Sequence, residues 1–413
     1  MTLVYFNNCA LDAQGRLNPF FRQEYPWLTA QGEDVVAVCR FGACRCRAGD
    51  KAPFALSRPG CASLRAFLRA PFQREVWSEL RRMAQARRLT PVGFLKLLMF
   101  VQRGLKMELW AERMLDGRTE ALSLYAYWMS YDAYAAALFK RRHPQARLAV
   151  RGHAYDVDVA RNPMNPYLMK RLIAQAADAI YPISQAARAQ YLSYMGGAVE
   201  EAKLRVVLPG SAGEPVDVSP EAPMEKDGVL HIVSCARLIP LKRVELLAGA
   251  LARWQGMCVH WTHIGGGEGE AALRALAEET LDRRENVVLD LLGDQTPEAV
   301  EALYRSRPFD LFVNTSRTEG VPVSIMEAMR FGIPAVAPRI GGIPELIRPE
   351  TGILFDADAG EEGVLEALER FCALAPAQRR AMRRAAKSLW DERCYLGRLM
   401  GVVLEKEADG CAS

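Results

Sequence analysis

Between residues 230 and 337 short apolar runs alternate with stretches of helical spacing, and this alternation narrows the fold more than any other feature. The runs cover 230–236, 258–264, 287–292, 309–314 and 334–337. Each is of strand length and rich in apolar residues, and run 309–314 reads as a buried parallel strand. Helical patterns separate them, so neighbouring strands are expected to run parallel through helical crossovers. Start and stop signals agree with this. Thr296 stands as N-cap before Pro297 at the first helical position, and Gly332 with Pro334 closes the helix that follows run 309–314. The expected architecture is α/β, a doubly wound parallel sheet.

The first half repeats the theme less cleanly. Run 3–6, a helix over 20–29 and run 34–39 form a βαβ unit, and the sheet resumes at 121–127, 146–153 and 180–184. Ser184 caps a helix over 185–194, and 204–208 is expected as the last strand. At 413 residues the chain is too long for one ordinary core. The expected division is 1–208 for a first domain, 209–228 for a Pro- and Gly-containing linker, 229–384 for a second domain, and 385–413 for a terminal helix and tail.

Composition sets limits on function. Half the residues are apolar and a quarter charged, the balance of a soluble globular protein, and a net charge of +4 does not by itself imply nucleic acid. The start Met1-Thr-Leu-Val-Tyr-Phe lacks the basic and apolar regions of a signal peptide, and no run of 18 uncharged apolar residues occurs. A cytoplasmic location follows as the expectation, with the ten cysteines as reduced thiols. Cys39, Cys44, Cys46 and Cys61 cluster without paired Cys-x2-Cys knuckles, so free thiols are preferred to zinc. Residues 65–110 are rich in Arg and Lys, interleaved with Trp77, Phe94, Phe100 and leucines. Two readings stay open: a helix pair covering the sheet, and an interfacial segment lying on a membrane.

Chemistry is expected at the carboxyl ends of the strands, where open α/β sheets bind ligands. Arg237 and Lys242 flank the turn after the first strand of the second half, two cations at a helix start suited to clamping a diphosphate. Glu319 and Glu327 bracket the turn after run 309–314, where carboxylates repel phosphate but accept hydrogen bonds from sugar hydroxyls. A ligand with phosphates in the middle and hydroxyl-rich groups on both sides fits, and a nucleotide-sugar has that shape. Asp156-Val-Asp158 has the spacing of a metal motif and is read as chance. There is no Gly-x-Ser-x-Gly elbow, no Walker loop and no early Gly-x-Gly-x-x-Gly.

The run from Glu319 to Glu327 resembles the E-x7-E motif of retaining glycosyltransferases of the GT-B fold, family 4 in particular. The block Arg237-Leu-Ile-Pro-Leu-Lys242 is similar to the same family's diphosphate-binding sequence. The resemblance covers the C-terminal half well and the N-terminal half loosely. It implies two Rossmann-like domains facing a cleft, with a terminal helix over 385–406 crossing back to the first. It also implies roles. Arg237 and Lys242 would hold the donor diphosphate, Glu319 the transferred sugar and Glu327 the ribose. The turns at Gly265, Gly266 and Gly293, and the backbone of Gly320, Val321, Val323 and Ser324, would line the donor. His153, which ends a strand of the first half, would reach the donor sugar. One departure is the first loop, which carries a single glycine, Gly15, where the family has a pair. The implied activity is transfer of a sugar from a UDP- or GDP-sugar to a hydroxyl with retention, without a metal cofactor. A glycan or lipid-linked acceptor for bacterial surface polysaccharide or glycolipid would place the protein in the cytoplasm or on the inner membrane face. The alternatives are a nucleotide-sugar epimerase on the same fold and a non-catalytic binding subunit.

Overall fold

The computed structural model describes residues 2–8, 18–30, 34–46, 62–115, 117, 121–218, 221 and 223–404. The chain divides into two compact units, one of Met1–Val207 with the residues from Met400 onward, the other of Leu208–Leu399.

The first unit holds a six-stranded sheet of β1 (Thr2–Phe6), β2 (Asp34–Cys39), β3 (Gly42–Cys46), β4 (Leu122–Ala126), β5 (Arg147–Gly152) and β6 (Ala179–Pro182), in the order β3-β2-β1-β4-β5-β6. All neighbours are parallel except β3, which folds back antiparallel on β2 through a tight turn that the sequence reading did not anticipate. The expected strand over 204–208 is corrected. Only a bridge from Leu204 to Ile180 forms, with the amides of Arg205 and Val207 donating to Ile180 and Pro182. Pro182 has no N–H to return, so a regular ladder cannot extend there.

The second unit holds β7 (Val229–Cys235), β8 (Cys258–Ile264), β9 (Val287–Leu291), β10 (Leu311–Val313), β11 (Ala335–Pro338) and β12 (Gly352–Phe355), in the order β12-β11-β10-β7-β8-β9 and parallel throughout. Its core packs Trp254, Trp261, Leu230, Ile232 and Leu251 against Phe371 and Leu368 of the helix Gly360–Ala373. Thr296 caps the helix Pro297–Ser306 as expected, its hydroxyl accepting from the Ala299 amide. In both units the strand order reverses beside the first strand, between β1 and β4 and between β7 and β10. A crevice for ligand opens at such a switch point.

Two helix expectations are also revised. The helix expected over 242–254 begins at Glu245, because Arg243 sits at a φ of 48°, which a right-handed helix cannot hold. The terminal helix is two helices, Pro376–Arg393 and Leu396–Val403. Between them Cys394 C=O accepts from Ser211 N–H and Leu396 N–H donates to Ser211 C=O. Pairing with Ser211 replaces the intrahelical bonds, and Trp390 Nε1 holds the same residue through Ser211 Oγ at 2.7 Å. Part of stretch 209–228 is thereby bound along the second unit, where Glu214 C=O also takes a bond from Arg330 Nε at 2.8 Å.

Candidate active site

The switch point of the second sheet brings two loops side by side, one leaving β7 with Arg237 and Lys242, the other leaving β10 with Glu319. Strands β7 and β10 pair directly, so loops far apart in sequence share one rim. Lys242 Nζ lies 2.5 Å from Glu319 Oε1, and Ser316 Oγ donates to the same oxygen at 2.6 Å. The Thr315 hydroxyl adds a bond to Lys242 C=O at 2.9 Å. Arg237, by contrast, is exposed and has no side-chain partner among the described residues.

Arg243 is the residue that the sequence reading passed over. Its guanidinium donates to Thr315 C=O at 2.9 Å, Ser316 C=O at 3.2 Å and Ala357 C=O at 3.2 Å. It thereby ties the Lys242 loop to the Glu319 loop. Burial and the neighbouring Arg317 charge hold it below the usual guanidinium range. The signal in the sequence was adjacency to Lys242, but a left-handed backbone at an arginine is not readable from residue type.

Glu319 is set from a third loop as well. Gly342 N–H donates to Gly320 C=O at 2.6 Å. Gly341, at a φ of 51°, packs so closely that a Cβ there would stand 2.1 Å from Glu319 C=O. Val321 is buried beneath, and Pro322 precedes the helix Val323–Arg330. That helix has no acid in its first turn and no side-chain cap, so the first-turn amides, Val323 and Ser324 among them, have no side-chain cap to satisfy them.

Glu327 lies on that helix, partly buried, and burial raises its carboxyl to about 7 while Arg330 pulls it back. The Cys235 thiol, at the end of β7, is pushed up to about 12 by burial and by the Glu327 charge, and lowered by Lys242. Glu327 and Lys242 therefore both lie close enough to this strand end to act on its thiol. Sequence spacing alone did not place these two groups around one cysteine.

The glycine turn after β8 is strapped to the Arg237 loop. Leu238 N–H donates to Gly266 C=O, and Gly269 N–H to Leu238 C=O, both at 2.9 Å. Gly265, at a φ of 126°, admits no side chain, since a Cβ would meet Ala236 C=O at 2.1 Å. Its amide bonds Gly293 C=O at 2.8 Å, and the Gly266 amide bonds Asp294 Oδ1 at 2.8 Å. These amides support the turn, and an apolar recess of 430 Å³ opens beside it, lined by Leu238, Ile239, Pro240, Val244 and Leu273.

In the first unit His153 follows β5, its ring against Tyr127 at 4.5 Å and Trp128 at 4.4 Å. Burial and the nearby Arg151 charge lower it well below the usual histidine range, so the ring is neutral at physiological pH. Asp156 Oδ2 accepts from the amides of His153 at 3.2 Å and Met129 at 3.1 Å, fixing the loop. Asp158 accepts from Ala160 N–H and pairs with Arg161. Both aspartates of the Asp-Val-Asp run are thus taken up in local structure. Of the clustered cysteines, Cys39, Cys44 and Cys46 are buried as thiols on β2 and β3, and Cys61 lies outside the described residues, as do residues 9–17 of the first loop. Beneath the same sheet, Glu24 accepts from Arg151 Nη1 and from Tyr5 OH, each at 3.0 Å, a buried ionic network invisible in the sequence.

Two Rossmann-like units of this construction define the GT-B fold. It is shared with Anabaena HepE, solved in complex with UDP, at a TM-score of 0.54 and 18% identity over 84% of this chain and 96% of that one. Within the second unit, the family model described as Glycosyl transferases group 1 matches residues 230–373. Among curated relatives, the amylovoran biosynthesis glycosyltransferase AmsK of Erwinia amylovora is 36% identical over 127 residues, 29% of this chain and 30% of that protein. The putative colanic acid biosynthesis glycosyltransferase WcaL of Escherichia coli K12 is 29% identical over 217 residues, half of each chain. The matched segments span about a third to a half of the curated relatives.

Proposed function

We propose that the protein is a retaining glycosyltransferase that moves a sugar from a UDP- or GDP-sugar to a hydroxyl acceptor. The observation that carries this is the placement of Lys242, Glu319 and Glu327 around the ends of β7 and β10, beside a helix start free of acids. Lys242 is held by Glu319. A donor diphosphate over the amides of Val323 and Ser324 offers Lys242 a second anion, and Arg237, exposed and without a side-chain partner among the described residues, closes on the same phosphates. Glu319 is then released toward the hydroxyls of the sugar, still oriented by Ser316. Glu327 accepts from the ribose.

In the transfer step the bond from the anomeric carbon to the diphosphate oxygen breaks, and the acceptor oxygen bonds to that carbon from the same face. The acceptor proton passes to the departing phosphate oxygen. Charge gathering on that phosphate is stabilised by fixed cations and helix amides, the larger part of catalysis in such sites. The reading gives this role to Arg237 and Lys242 rather than to a metal ion. The names of AmsK and WcaL, an amylovoran and a putative colanic acid biosynthesis glycosyltransferase, support a glycan acceptor; the same proposal extends to a lipid-linked acceptor at the inner membrane face.

The test is a thermal-shift screen across nucleotide-sugars, with release of nucleoside diphosphate followed in parallel. One donor should raise the melting midpoint and be hydrolysed slowly without acceptor. Conversion of that donor to its epimer would replace transfer by epimerisation. No stabilisation by any nucleotide-sugar or nucleoside diphosphate would end the proposal.

A further inference from the structure

We infer that the helical face of the first unit spanning residues 62–99 is a docking surface for an anionic lipid bilayer. Three helices build it: Ala62–Arg69, Arg74–Gln85 and the start of Pro91–Leu115. Each buries a narrow stripe, with Ala66 on the first, Val76, Glu79 and Met83 on the second, and Gly93, Leu97 and Phe100 on the third. An ordinary surface helix turns polar groups outward opposite such a stripe. Here large apolar groups also stand on the outward side. Phe72 is 83% exposed, Phe67 67% and Trp77 62%, with Leu64, Val92 and Leu95 beside them in sequence and equally open. Ten of the fifteen large apolar side chains exposed in the described residues lie between Leu64 and Met99, so this exposure is concentrated rather than scattered.

Trp77 sharpens the reading. Its indole Nε1 donates to Pro71 C=O at 3.1 Å, in the turn that carries Phe72. The polar atom of the ring is satisfied at the backbone while most of the indole stays uncovered, next to the most exposed aromatic of the face. Indole and phenyl rings with a satisfied polar end are suited to the headgroup level of a membrane.

The charges commit the occupant. Arg65, Arg69, Arg74, Arg81, Arg88 and Lys96 are exposed among these apolar groups. The two acids between 62 and 99 are turned to other partners: Glu79 is buried against Arg82 at 2.8 Å, and Glu75 pairs with Arg141 at 2.6 Å. The outward face is therefore cationic and apolar together. A second copy of the chain would set this positive face against itself. A polyanion such as nucleic acid would leave Leu64, Phe67, Val92 and Leu95 exposed. An anionic bilayer satisfies both, with cations at the headgroups and rings at the acyl boundary. No helix among the described residues is long and apolar enough to cross a membrane, so the segment would lie on the surface.

The test is co-sedimentation of the full chain with vesicles of phosphatidylcholine alone and of phosphatidylcholine with phosphatidylglycerol, at low and high salt. The protein should pellet with anionic vesicles at low salt and be released by salt. The pair Phe72→Ser and Trp77→Ser should lower partitioning by at least about tenfold, and Arg65→Gln with Arg69→Gln should lower it on anionic vesicles only. These side chains are exposed, so the variants should melt within about 2 °C of the parent, which separates lost binding from lost folding. Wild-type protein left in the supernatant with anionic vesicles, or variants that pellet as well as the parent, would overturn the inference. So would a dimer in solution that Phe72→Ser dissociates, since a second copy would then be the occupant. Vesicle binding requires neither donor nor turnover, so it can fail while donor binding holds, and the reverse.

Discussion

Lys242 and Glu319, on loops 77 residues apart in the chain, meet at 2.5 Å across the switch point of the second sheet. Each charge neutralises the other and fixes its partner's position at the rim. Lys242→Ala should raise the barrier to transfer by about 2–4 kcal/mol, as loss of a charge-stabilising group does. Glu319→Gln keeps the hydroxyl-binding shape and should cost less. Steady-state rates at saturating donor measure both, and wild-type turnover by Lys242→Ala would exclude its role at the leaving group.

Under the proposed function, donor binding should depend on pH through Glu327. Burial lifts its carboxyl from an ordinary 4.5 to about 7, so the native state binds this proton more tightly than the unfolded chain. The sign follows: the group costs nothing below about pH 4.5, and its cost to stability grows as pH rises through 7. An ionised carboxylate accepts from ribose hydroxyls better than an acid does. Donor affinity should therefore rise between pH 6 and 8, by up to about tenfold. Calorimetric titration across that range tests this, and Glu327→Gln should flatten the profile. An unchanged slope in Glu327→Gln would assign the pH dependence elsewhere.

Arg243 acts through others. Its three bonds to backbone carbonyls hold the two loops in register, and no substrate contact is needed for this. Arg243→Ala should lower stability by about 1–2 kcal/mol, the bonds being partly exposed, and should weaken donor binding through loop displacement. Arg243→Gly relaxes the left-handed backbone as well, so it should be the more stable of the two while losing the same bonds. Melting curves with and without donor separate strain from clamping.

Gly341 sets how close the third loop comes to Glu319. A methyl group there would collide with Glu319 C=O at 2.1 Å, on a backbone that already disfavours side chains. Gly341→Ala should reduce turnover on the order of a hundredfold, the scale of a 1 Å misplacement in a positioned site, with the chain still folded by circular dichroism. Turnover equal to the parent would show that this contact does not orient Glu319.

Sequence by itself determined the strand–helix alternation, because apolar runs and cap signals are local: β8 fell at 258–264 as read, and Thr296 caps where its type and the following proline require. It also determined the residue types at the candidate site, since Arg237, Lys242, Glu319 and Glu327 follow strand ends that periodicity locates. Tertiary structure decided what those groups meet. The order β12-β11-β10-β7-β8-β9 sets β10 against β7, and a pairing between distant strands leaves no trace in the spacing of either. Hence the Lys242–Glu319 pair, the Arg243 clamp and the buried Glu24–Arg151 network emerge only once the chain is folded. The break at Cys394 belongs with them, for it depends on Ser211, far along the chain, winning hydrogen bonds that a helix would otherwise keep. The segment 62–99 divides the same way. Its basic and apolar composition is plain in the sequence, but which side chains face outward is settled by what the three helices bury.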